Sequence, residues 1–166
     1  MPVLNPYLSF RREAREAMEF YHSVFGGDLE IDTFGDSGMD HDPADAELVL
    51  HATLETPDGM VLMASDTPAA APYEAPAGFS LSLSGDEEDE LTEWWEALSE
   101  GGTITMPLAE PEWGGLFGML TDRFGVRWMV SIVDEEEFDD EDDEDDDEGF
   151  DDLDDLEDLD DADAAR

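Results

Sequence analysis

The chain has 166 residues, with 49 Asp and Glu against six Arg and no Lys, a formal net charge of −43. So acidic a balance makes nucleic-acid backbones and anionic membranes poor partners, because both need Lys and Arg. With no Cys, disulfides, thiolate metal sites and Cys nucleophiles are out. No apolar run approaches the ~20 residues of a membrane span. The opening MPVLNPYLSF has neither the basic region nor the apolar stretch of a signal peptide. The expectation is a soluble cytoplasmic protein.

In chain order, alternation predicts a first strand over Leu4–Phe10, with Leu4, Leu8 and Phe10 opposite Asn5, Tyr7 and Ser9. Ala14, Ala17, Met18, Tyr21, Val24 and Phe25 then fall at helical spacing. Gly26-Gly27 ends that helix with a left-handed cap. Strands follow over Leu29–Phe34, Leu48–Thr56 and Met60–Ser65. In the middle one, Leu48, Leu50, Ala52 and Leu54 form a dry face, and Val49, His51, Thr53 and Glu55 a wet one. His22 falls on the helix surface and His41 in a solvated loop.

The pattern then repeats. Phe79–Ser84 reads as a strand, with Phe79, Leu81 and Leu83 opposite Ser80, Ser82 and Ser84. Leu91, Trp94, Trp95 and Leu98 mark a second helix, opened by a Ser84/Glu87 capping box and closed by Gly101-Gly102. Strands follow over Thr103–Pro107, Leu116–Thr121 and Arg127–Val133, and Asp122 to Gly125 reads as a hairpin turn with a positive φ at Gly125. The glycine pairs lie 75 residues apart, and the same offset carries Asn5 onto Ser80 and Tyr7 onto Ser82. A duplicated unit accounts for this. The expected fold class is α+β: two tandem βαβββ modules, about residues 3–66 and 78–133, forming a curved mixed sheet around a cleft lined by the polar faces. Residues 1–133 make up the domain.

From Asp134 the chain holds 23 carboxylates and a single Arg. Self-repulsion and scarce apolar groups predict a disordered acidic tail over 134–166. Phe150, Leu153, Leu156 and Leu159 recur every third residue, an apolar stripe available to a basic partner. The run DEDDEDDDEG lacks the alternating ligand pattern of a Ca²⁺ loop.

Four stretches, NPYLSF, AREAMEFYHSVFGG, VLMASDTP and above all WGGLFGMLTDRFGVRWMV, carry a family resemblance. With the paired modules, they make residues 3–133 resemble the vicinal oxygen chelate superfamily, which includes glyoxalase I, extradiol dioxygenases and bleomycin-binding proteins. The match is specifically to its PhnB-like branch. The resemblance implies a homodimer. Metal-using relatives place one ligand early in the first strand of each module and a carboxylate in the last. Here those positions fall at or beside Asn5 and Ser80, and within 61–65 and 127–132, where no His, Asp or Glu stands. Zn, Ni and Fe sites want such groups, so no metal is expected there and no cofactor is implied. A divalent metal requires a relocated site. The branch often carries a demethylubiquinone methyltransferase label, but no glycine-rich strand-to-helix loop for a nucleotide-like cofactor is present.

His51 is the best chemical candidate, a base or ligand acting with Glu55, against the alternative of a sheet histidine with its hydrogen bonds satisfied. Tyr7, Trp113 and Trp128 are candidate aromatic walls for a ligand, against the alternative of core. Asp66 faces a cleft mouth or caps a turn. Arg123 orients an anionic ligand or offsets nearby acids, and Arg127 has the same two roles open to it. Three functions follow. The first is a metal-independent binder of a small organic ligand, of the bleomycin-resistance type. The second is an enzyme with a site relocated to His51 and Glu55, its lyase, dioxygenase or isomerase class open. The third is an interaction protein acting through its tail.

Overall fold

A computed structural model of the chain describes residues 2–133. Its first module runs β1 (Tyr7–Phe10), α1 (Ala14–Phe25), β2 (Asp28–Thr33), β3 (Val49–Glu55) and β4 (Val61–Asp66). The second runs β5 (Leu81–Gly85), α2 (Glu88–Ser99), β6 (Thr103–Ala109), β7 (Leu116–Thr121) and β8 (Arg127–Ile132). Each module closes its own four-stranded mixed sheet, in the orders β1-β4-β3-β2 and β5-β8-β7-β6. β1 runs parallel to β4 and β5 parallel to β8, and the other pairings are antiparallel. The first strand of each module is therefore an edge.

α1 buries Ala14, Ala17, Met18, Tyr21 and Phe25 as their spacing requires, and Phe20 as well. Its first amide, Ala14 N–H, donates to Asp66 at 2.9 Å. A carboxylate from the end of β4 thus satisfies one of the orphan donors at the helix start and suits its positive end. α2 differs from expectation at its start. Ser84 pairs with Ser131 in the β5–β8 ladder, and the helix opens after Glu87 with no side-chain cap. Acids at Glu88, Asp89 and Glu90 fill the first turn, where the helix dipole favours them.

One hydrophobic core spans both modules, with Leu8, Phe10, Tyr21 and Leu54 from the first and Leu83, Leu98, Trp128 and Val130 from the second. Aromatic pairs join them: Phe25 meets Trp94 edge-on at 5.1 Å and Tyr21 meets Trp128 at 5.6 Å. The helix-bearing sides of the two sheets share this core.

Two further expectations are corrected. Asp32 pairs with His51 while Thr33 pairs with Val49, so Leu50 is an extra residue in the β3 ladder. The bulge turns Val49 fully into the core and leaves Leu50 half-buried, the reverse of simple alternation. Leu4 and Phe79 precede their strands and are exposed, 99% and 47% respectively. Among the described residues, no helix is long and apolar enough to cross a membrane. The tail expected over 134–166, with its Phe150–Leu159 stripe, lies outside the described residues.

Candidate functional site

A groove of about 620 Å³ lies between the first strands of the two modules. Asn5 and Tyr7 line it from the β1 side, Ser80 and Ser82 from the β5 side, and Leu8, Phe25, Leu83 and Trp128 among others supply its apolar surface. The sequence repeat thus brings Asn5 and Tyr7, with their counterparts 75 residues on, into one groove. A mostly apolar concavity with a few polar groups is the usual form of a small-molecule site.

Trp128 is held firmly. It is 3% exposed, and its indole N–H donates to Asp122 at 2.9 Å. The Asp122 carboxylate also accepts the Tyr21 hydroxyl at 2.6 Å and the amides of Phe124 at 2.8 Å and Val126 at 3.1 Å. Four donors offset the cost of burying this group. Burial, then the charge of Asp122 and the hydrogen bond to it, raise the Tyr21 phenol far above its ordinary range, with Arg123 opposing. Asp122 read from the sequence as a turn residue. Its turn is present, with Gly125 at φ 86°, but its anchoring of the groove floor depends on Tyr21 from α1.

A second centre lies on the helix-free side of the first sheet. The Tyr7 hydroxyl is 3.2 Å from His51 Nδ1, and the two rings stack at 5.6 Å with a 28° tilt. Thr53 Oγ1 is 3.0 Å from His51 Nε2. Both ring nitrogens thus face a hydroxyl, one donating and the other accepting. Glu55 is not part of this centre. It lies four residues along β3, about 13 Å by strand rise, and is exposed opposite Asp28 and Val61.

The remaining candidates scatter. Asp66 is 5% exposed, and its oxygens accept the amides of Ala14 and Val49, both at 2.9 Å. That commits it to joining α1, β3 and β4. Trp113 is 71% exposed in the β6–β7 loop, away from the groove. Arg123 lies over the Phe20 ring at 4.1 Å, in a separate depression beside Glu13, Glu16 and Glu19. Arg127 is exposed at the start of β8. His22 is on the surface, 3.1 Å from the Gly27 carbonyl, and His41 sits 2.7 Å from that of Met39.

The positions implied for metal ligands carry the wrong donors. Asn5 and Ser80 line the groove. Met63 on β4 neighbours Tyr7, and Met129 on β8 neighbours Ser82. Amide, hydroxyl and thioether groups do not make a Zn, Ni or Fe site. Among the described residues, no three His, Asp or Glu side chains are grouped to hold a metal ion.

A sequence profile described as the Glyoxalase/Bleomycin resistance protein/Dioxygenase superfamily matches residues 3–130, and the chain belongs to that superfamily. Protein PA1353 of Pseudomonas aeruginosa is 42% identical in sequence, with a TM-score of 0.73 over 81% of this chain and 99% of its own. The PhnB protein of Bacillus cereus is 27% identical, with a TM-score of 0.64 over 80% of this chain and all of its own. Protein YjdN of Escherichia coli is 28% identical, covering 80% of this chain and 97% of YjdN. Within the superfamily, the chain falls in the PhnB-like branch.

Proposed function

We infer that this protein binds a small organic ligand in the groove between β1 and β5, with no protein-held divalent metal. The observation that carries this reading is the groove itself, about 620 Å³ with no His, Asp, Glu or Cys among its lining residues. Its size and apolar lining match a drug-sized ligand. Residues 1–133 hold 26 carboxylates against five arginines. Such a field draws in cations, so the preferred ligand carries an apolar body and a positive charge. A homodimer belongs to the same reading. The helix-free face of the second sheet leaves Phe117, Met119 and Met129 half-buried and Met106 47% exposed, apolar surface that a second copy would cover.

The test is a thermal-shift screen of the full chain against cationic aromatic compounds and cationic glycopeptides, in EDTA. A binder at a hundred times its Kd stabilises the fold by about 2.7 kcal/mol. Ser82→Trp, at an exposed position lining the groove, should abolish the shift while leaving the unliganded melting temperature unchanged. A binder that shifts wild type and Ser82→Trp equally would contradict the reading.

A further inference from the structure

Tyr7, His51 and Thr53 are not held together by any need of the fold. Tyr7 is 47% exposed and the other two are half-buried. Hydroxyls and imidazoles in that setting can satisfy themselves with water at little cost. The second module provides the control. Strand register places Tyr7, Met63 and Thr53 in one row across the first sheet, and Ser82, Met129 and Met119 in the matching row of the second. Phe117 takes the position of His51. The same sheet thus forms with Ser, Met and Phe at the three positions. The hydrogen-bonded Tyr-His-Thr set is particular to the first module.

We propose that these residues form a metal-free nucleophilic centre in which the Tyr7 oxygen accepts an acyl group from an ester. The centre works in the tautomer in which Nε2–H of His51 donates to Thr53 Oγ1, 3.0 Å away, and Nδ1 accepts from the Tyr7 hydroxyl, 3.2 Å away. As the Tyr7 oxygen bonds to the acyl carbon, its proton passes to Nδ1. The ester C–O bond then breaks, and the leaving alcohol carries that proton away. Water attacks the O-acyl tyrosine, releasing the carboxylic acid and restoring the phenol. Tyr7 is the catalytic residue and His51 its base, and Thr53 positions the imidazole. Asp32 stands opposite His51, and Glu30 opposite Thr53, across the β2–β3 ladder. These acids favour uncharged or cationic esters over anionic ones.

The experiment uses the full chain and p-nitrophenyl acetate, with acetylation mapped by peptide mass spectrometry. Tyr73 is the internal reference, a partly exposed tyrosine whose ring partner is Arg11 at 4.9 Å. Tyr7 should acetylate about a hundredfold faster than Tyr73, the low end of what a positioned base contributes. His51→Ala should bring the two rates together. Thr53→Ser should keep the advantage and Thr53→Val should lose most of it. Should His51→Ala fail to fold, the Thr53 pair decides. Comparable rates at Tyr7 and Tyr73 in wild type would overturn the proposal. So would a Tyr7 advantage that survives both His51→Ala and Thr53→Val.

Discussion

Asp122 and Tyr21 show how much one buried carboxylate can organise. The hydroxyl of Tyr21 lies 2.6 Å from Asp122, and the same carboxylate fixes the indole at the groove floor. A hydrogen bond to a charged group contributes about 1.5–3 kcal/mol, so Tyr21→Phe should cost that much at neutral pH. The pH dependence has a definite sign. Burial and the charge of Asp122 raise the phenol in the folded state, while the unfolded chain releases its proton near pH 10. Above about pH 10 the unfolded state binds fewer protons than the folded one, so stability falls as pH rises, by up to about 1.4 kcal/mol per pH unit. The contribution is fully present below that range. Urea unfolding at pH 8 and pH 11 checks this: the fall should be clear in wild type and reduced in Tyr21→Phe. Equal slopes in both proteins would contradict it. Sequence reading placed Asp122 in its turn because two of its donors, Phe124 and Val126, are local. The Tyr21 donor is 101 residues away, and no local pattern announces it.

At the scale of elements, the paired glycines do two different jobs. Gly26 and Gly101 take φ of 69° and 71°, the positive φ out of each helix that the sequence implied, but ψ at Gly26 is −158°, so that residue is not the left-handed helical cap expected there. Gly27 and Gly102 answer to packing. A Cβ on Gly27 would collide with the Glu55 carbonyl, and one on Gly102 with the Thr121 carbonyl. The backbone leaving each helix therefore passes directly over the end of the module's third strand. A Cβ on Gly26 meets nothing within 4 Å, so Gly26→Ala should cost only the backbone penalty of holding φ 69° with ψ −158°, about 1–3 kcal/mol. Gly27→Ala, at φ 93° with a backbone collision added, should cost clearly more. Denaturant melts of the two variants give the ranking, and equal costs would contradict the close-approach argument. Hydrophobic period and glycine punctuation carried the two helices, the eight strands and the duplication, because those signals are local. The β3 bulge was not legible, since either register of Leu48-Val49-Leu50 offers an apolar residue to the core. The separation of His51 from Glu55, by contrast, follows from strand rise alone, since four residues along one strand span about 13 Å. Asn5, Tyr7, Ser80 and Ser82 were found through the repeat, whereas Thr53 as the His51 partner needed side-chain geometry.

Over the whole molecule, charge is the dominant feature. The folded part carries 26 carboxylates and five arginines. Among the described residues, the ion pair between Arg12 and Asp45 is a long one, at 3.9 Å. Like-charge repulsion therefore opposes compactness, and salt screens it over a Debye length that falls from about 10 Å at 0.1 M to about 3 Å at 1 M. Calorimetry should show the melting temperature rising by several degrees between those KCl concentrations, and an unchanged or falling value would show that repulsion is unimportant. The duplication also gains meaning at this scale. The two modules share a fold and a core but present different helix-free faces, one with Tyr7, His51 and Thr53, the other with Phe117, Met119 and Met129. Their first strands converge on the groove for which ligand binding is proposed. The decisive measurement is amide chemical-shift mapping of the full chain with the best cationic aromatic binder, in EDTA. Perturbations should concentrate at residues 5–8, 60–62 and 80–83 and persist without divalent metal. Perturbations clustered elsewhere, or binding that disappears on adding EDTA, would contradict a metal-independent ligand site between β1 and β5.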